Sequence, residues 1–134
     1  MAILPSVQNG YLPYFLLYEA VAAFIHTIVC YISSPTISNA QFRGPRAPPP
    51  TTLLAHVYGL KNFYTMLIRL YAAYHLDNKE VYTLAIFSFV GVLWLYVTEM
   101  VVWKTVTLRD AAIPYVLAGT GLVWMVRERE WYTG

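Results

Sequence analysis

Residues 81–103 read VYTLAIFSFVGVLWLYVTEMVVW, and Glu99 is the one charge among them. A hydrocarbon core about 30 Å thick needs roughly 20 predominantly apolar residues at about 1.5 Å of rise each, so this stretch is long enough to cross a bilayer as a helix. Residues 11–32 have the same character, with Glu19 the one charge. A cleaved signal peptide fits them poorly. Residues 1–10 hold no Lys or Arg, and the apolar run outlasts the roughly 7–15 residues of a signal's core. A retained span is the expectation.

Residues 53–74 form the odd span, because His56, Lys61, Asn62 and Arg69 interrupt its apolar and aromatic pattern. The short segment 75–80 predicts a tight hairpin between it and the span at 81–103. Residues 111–126 are short for a crossing, although Pro114 suits a helix's first turn and the aromatic tail extends the stretch. Residues 33–52 carry Pro35, Gly44, Pro45, Pro48, Pro49 and Pro50 beside Arg43 and Arg46. That composition argues against a helix or a buried core and predicts an exposed, stiff connector; a proline-motif ligand at residues 48–50 is the less economical reading.

Aromatic residues of the kind that anchor spans at membrane interfaces sit at the expected boundaries: Tyr11, Tyr14, Tyr71, Tyr74, Tyr82, Trp103, Trp131 and Tyr132. Basic residues do not orient the chain. Lys79, Arg127 and Arg129 fall on one side, and Arg43, Arg46, Lys104 and Arg109 on the other. The expected fold is all-α: a single domain forming a four-helix transmembrane bundle, multi-pass in its membrane.

Composition agrees. Charged residues make up 12% of the chain and hydrophobic ones 58%, where a soluble domain carries about a quarter charged. The net charge of +2 is spread without a run of one sign, which excludes a phosphate-backbone footprint and with it nucleic-acid binding. The single cysteine, Cys30, lies in an apolar stretch and reads as packing.

Ionisable groups at bilayer depth cost a few kcal/mol on insertion scales unless they find partners, so Glu19, Lys61, Arg69 and Glu99 need an account. Glu19 and His26 stand seven residues apart, as do Asn62 and Arg69, so each pair shares a helix face. Pointing these stripes inward makes a buried polar network of Glu19, His26, Asn62, Arg69 and Glu99. In it the Arg69 fork meets the carboxylate of Glu99 or Glu19 and glues helices together. Two other readings compete. The polar residues could line a pocket where Glu99, His26, His56 or Lys61 does acid–base work on a membrane-soluble substrate, or those near helix ends could reach the headgroups. No metal helix of the His-Glu-x-x-His type, nucleophile elbow, phosphate cradle or paired-Cys motif occurs, and His26, His56 and His75 are too scattered for a metal site. Neither a cofactor nor a metal is expected.

Several ordered stretches resemble the ergosterol biosynthetic protein 28 family: Gly10-Tyr11-Leu12-Pro13, Ile68-Arg69-Leu70-Tyr71-Ala72-Ala73-Tyr74, Thr98-Glu99 with Trp103-Lys104-Thr105, and residues 122–134, LVWMVRERE WYTG. The resemblance implies a non-catalytic scaffold of the endoplasmic-reticulum membrane. Such a scaffold gathers the sterol C-4 demethylation enzymes: the C-4 methyl oxidase, the C-3 dehydrogenase/decarboxylase and the 3-keto reductase. A tether acts by raising effective concentration, passing a poorly soluble intermediate between neighbours. Its partners would be bilayer lipid and these or other membrane-bound biosynthetic enzymes, with room for a homo-oligomer. The chain departs from the family pattern where Ala55-His56-Val57-Tyr58-Gly59-Leu60-Lys61 replaces Ala-Arg-Thr-Phe-Gly-x-Trp. It departs again at His26-Thr27 and at Leu95-Tyr96. These changes fall on the polar interior and resemble those of a diverged fungal paralogue. They motivate the alternative of a membrane-embedded isomerase or cyclase acting on a terpenoid or polyketide in fungal specialised metabolism.

Overall fold

The structure, a computed structural model, describes residues 4, 5 and 10–134. Among them every regular element is helical: α1 (Leu12–Ile32), α2 (Pro35–Ser38), α3 (Thr52–Tyr74), α4 (Lys79–Val101), α5 (Leu108–Arg127) and α6 (Arg129–Thr133). Local chemistry sets the starts. Pro13 occupies the first turn of α1, where its missing N–H costs nothing. Thr51 caps α3, its hydroxyl oxygen accepting from Leu54 N at 3.1 Å, and Asn78 Oδ1 caps α4 by accepting from Glu80 N and Val81 N, both at 3.0 Å. At the start of α5 the Thr107 hydroxyl accepts from Asp110 N at 3.2 Å and donates to the Asp110 carboxylate at 3.1 Å.

Two features differ from what the sequence predicts. The Pro-rich connector contains one helical turn, α2, because Pro35 at a first helical position has a φ already suited to the helix. The connector also reaches the interior, with Ser38 and Asn39 each only 3% exposed. Ser38 Oγ donates to Val29 O at 3.1 Å, and Asn39 Nδ2 donates to Pro35 O at 2.9 Å and to Thr51 O at 3.1 Å. The second difference concerns Pro114. α5 begins at Leu108, so Pro114 stands inside the helix rather than in its first turn. Its ring nitrogen has no hydrogen to give Asp110 O, four residues earlier, and that rung of the ladder is missing.

α1 packs along α3, α4 along α5, and α3 joins the two pairs through α4. Small side chains permit the close approach: Ala20, Ala23, Ala55, Ala72 and Ala73 in the first half, and Ala85, Ala111 and Ala118 in the second. A Cβ on Gly59 would stand 2.8 Å from Cys30 Cβ, and one on Gly121 would stand 2.6 Å from the Phe89 ring. Leu12, Leu16, Tyr82, Phe89 and Met125 fill the largest buried positions.

The surface, like the core, carries many large apolar side chains. On α3, Leu53, Val57, Leu60, Tyr64 and Tyr71 face outward while Asn62, Thr65 and Arg69 are buried. A water-soluble helix has the reverse pattern. α1 and α4 are long and apolar enough to cross a membrane.

At one end of the molecule two backbone hydrogen bonds join the connector to a neighbouring turn. Gly44 N donates to Thr105 O at 2.9 Å and Arg46 N to Lys104 O at 3.0 Å, fastening the Pro-rich connector to the α4–α5 turn. Lys104 adopts φ +62° to present that carbonyl, and a Cβ on Gly44 would overlap it. At the other end Tyr82 Oη donates to Met125 O at 2.6 Å, and Arg129 donates to Thr83 Oγ1 at 3.1 Å.

Candidate functional site

Arg69 ties three helices together. From α3, its Nη1 donates to Glu19 Oε2 on α1 at 3.1 Å, with both residues buried. Its Nε donates to Ser88 Oγ on α4 at 3.1 Å, its Nη2 approaches Ser88 O at 3.4 Å, and its guanidinium lies 4.0 Å from the centroid of the Phe89 ring. The planar fork reaches these acceptors from three separate nitrogens, a span that the single nitrogen of an ammonium does not have. Ser88 Oγ passes its own proton to Ala85 O at 2.6 Å.

A cavity of about 490 Å³, lined more by apolar than by polar surface, opens beside this pair. It is bounded by α1 and α3 on one side and α5 on the other, with Val92 and Tyr96 of α4 and part of the Pro-rich connector completing the wall. Its charged and amide-bearing lining residues are Glu19, His26, Gln41, Arg43, Lys61, Asn62, Arg69 and Asp110. Lys61 Nζ donates to Asn62 Oδ1 at 3.3 Å and lies 4.8 Å from the centroid of the Tyr58 ring. Asn62 Nδ2 and Glu19 Oε1 are buried without a hydrogen-bond partner. Above them the hydroxyls of Tyr58 and Tyr96 bond at 2.6 Å.

The residues singled out in the sequence therefore divide into two groups. Glu19, His26, Lys61, Asn62 and Arg69 share the cavity. Glu99 lies elsewhere, at the end of α4, where the Thr105 hydroxyl donates to its carboxylate at 2.5 Å and its carbonyl accepts from Thr105 N at 2.8 Å. Its chemistry there is that of a turn brace. His56 stacks on Tyr31 with ring centroids 4.5 Å apart and planes 4° from parallel, and it does not line the cavity. The four groups considered for acid–base work are thus not gathered around one point. Among the described residues no group of three His, Cys, Asp or Glu is placed to hold a metal ion.

Sequence reasoning passed over Ser88, Asp110 and the pairing of Tyr58 with Tyr96. Ser88 gave no signal, because its meeting with Arg69 depends on how α3 packs on α4. For Asp110 the Thr107-x-x-Asp110 spacing ahead of an apolar run was the cue, since it is the pattern of a helix cap. The tyrosines gave no signal beyond their number.

The family model described as Erg28 like protein matches residues 12–123. Ergosterol biosynthetic protein 28 of Saccharomyces cerevisiae is 31% identical over 133 residues, covering 98% of this chain and 88% of the relative. The protein of that name from Candida albicans is 29% identical over 132 residues, covering 98% and 94%. That of Gibberella zeae is 26% identical over 160 aligned positions, covering 96% and 94%. No solved structure matches the chain.

Proposed function

The chain belongs to the Erg28 like protein family, and from that membership we propose that it is a non-catalytic scaffold of sterol biosynthesis in the endoplasmic-reticulum membrane. In this reading α1, α3, α4 and α5 form a four-helix transmembrane bundle within one multi-pass domain. The connector at residues 33–51 and the α4–α5 turn then lie at one face of the membrane. α3 and α5 are marginal by hydropathy, but their outward faces are apolar and the α3 charges turn inward, which is the arrangement a hydrocarbon solvent favours. The scaffold tethers the C-4 methyl oxidase, the C-3 dehydrogenase/decarboxylase and the 3-keto reductase of sterol C-4 demethylation.

Similarity along nearly the whole chain to proteins named for ergosterol biosynthesis carries this reading. The dispersal of Glu99 and His56 away from the cavity supports a non-catalytic role, since acid and base must reach one substrate. The test is expression of the tagged full chain in Saccharomyces cerevisiae lacking its own ergosterol biosynthetic protein 28. Capture from mildly solubilised microsomes should recover the three enzymes, and accumulated carboxysterols should fall. Recovery of none of the three, with sterol profiles unchanged, would overturn the proposal.

A further inference from the structure

We propose that the cavity between the α1–α3 pair and α5 binds a lipid bearing a single carboxylate, held at its head by Lys61 and Asn62. The inference rests on the reading that these helices stand in a bilayer, and it is independent of the tethering of enzymes. Arg69 cannot be the head's main partner, because Glu19, Ser88 and the Phe89 ring already engage its nitrogens and its face. Asp110 on the opposite side is engaged as well, by the Thr107 hydroxyl at the start of α5. Lys61 is different. Among the described residues the one ion pair is Arg69–Glu19, so the Lys61 ammonium has an amide oxygen and a ring face but no counter-charge. Asn62 is 5% exposed, and with its acceptor turned to Lys61 its Nδ2 donor has no partner.

Two adjacent donors, one cationic, lining a largely apolar cavity call for an acceptor with a negative charge. A carboxylate offers two oxygens for the two donors. Ala22, Val29, Leu117 and Ala118 provide the apolar wall for the body of the same molecule. The cavity's volume lies within the range of small-molecule sites, about 300–1,000 Å³. Exposed Tyr18, His26 and Ile113 stand at its mouth. Glu19 Oε1, a buried acceptor without a partner, on a residue lining the cavity, can take a hydroxyl hydrogen from the same head.

The probe is a diazirine-bearing stearic acid, compared with its methyl ester, on the full chain in phosphatidylcholine nanodiscs. The acid should label peptides of α1 and α5 saturably, unlabelled stearate should compete, and the ester should label weakly. Lys61→Met should weaken labelling by at least about tenfold, since hydrogen bonds to charged groups contribute that much affinity. If that variant fails to assemble, Leu117→Trp, which fills the apolar wall and leaves the head donors in place, should also abolish labelling. Equal labelling by acid and ester, or competition by phosphatidic acid but not by stearate, would overturn the proposal. Failure of the chain to enter nanodiscs at all would instead overturn the membrane reading, and enzyme capture from microsomes reports separately on the scaffold.

Discussion

The hydroxyls of Tyr58 on α3 and Tyr96 on α4 meet at 2.6 Å in the interior, linking two helices that otherwise touch through apolar side chains and Arg69. Removing one hydroxyl strands the other. Tyr58→Phe or Tyr96→Phe should each destabilise the protein by about 1 kcal/mol, within the range for a polar group deprived of its partner. The double variant should recover most of that loss. Thermal unfolding of the four proteins in one detergent measures the coupling, and additive losses would contradict it.

Arg69 serves Glu19 on one helix and Ser88 on another through separate nitrogens. Arg69→Lys keeps the charge but has a single head, so it should lose about 2 kcal/mol or more, on the scale of breaking a buried pair. Glu19→Gln should cost less, because the amide oxygen can still accept from Arg69. The midpoints of SDS-induced unfolding check the order. An Arg69→Lys protein as stable as the parent would show that the fork is unnecessary.

Four helical glycines divide by their surroundings. A Cβ at Gly59 would crowd Cys30 and Tyr31, and one at Gly121 would crowd Phe89, whereas Gly91 and Gly119 have open space at that position. Gly91→Ala and Gly119→Ala should therefore stabilise by about 0.5–1 kcal/mol through helix propensity. Gly59→Ala and Gly121→Ala should destabilise, because helix–helix contacts must widen to admit the methyl group. Unfolding midpoints of the four single variants test the sign at each site.

The connector depends on Gly44, whose Cβ would overlap the Lys104 carbonyl oxygen. Gly44→Ala should release the two backbone bonds from Gly44 and Arg46 and loosen the backbone around the exposed Arg43 and Arg46, so that trypsin can draw it into its active site. Cleavage there should accelerate several-fold while sites near Arg127 are cut at the parental rate. Unchanged cleavage at residues 43 and 46 would mean that the contact does not hold the connector.

Long-range apolar patterning was readable because it depends on composition over some 20 residues, and the lengths of α1 and α4 follow from it. The inward-facing stripe of Asn62 and Arg69 was also readable, from its seven-residue spacing. The choice of Glu19 over Glu99 as the Arg69 partner was not. That choice depends on which helices become neighbours and at what depth, and Glu99 sits at the end of α4 braced by Thr105. The burial of Ser38 and Asn39 was hidden for another reason. Prolines forbid a continuous helix but permit a single turn with polar side chains folded onto neighbouring carbonyls. The cavity follows from the small separation of α1 from α3 and the larger one of both from α5, which no local pattern encodes.

The fastening of Gly44 to Thr105 ties the connector to the α4–α5 turn at one end of the molecule. Tyr132 stands against Gly10 at the other. In the proposed bilayer, where both ends meet water, a guest of the cavity would arrive sideways past Tyr18, His26 and Ile113 from among the acyl chains. Its exchange rate would follow lateral diffusion in the membrane and be insensitive to concentration in the aqueous phase.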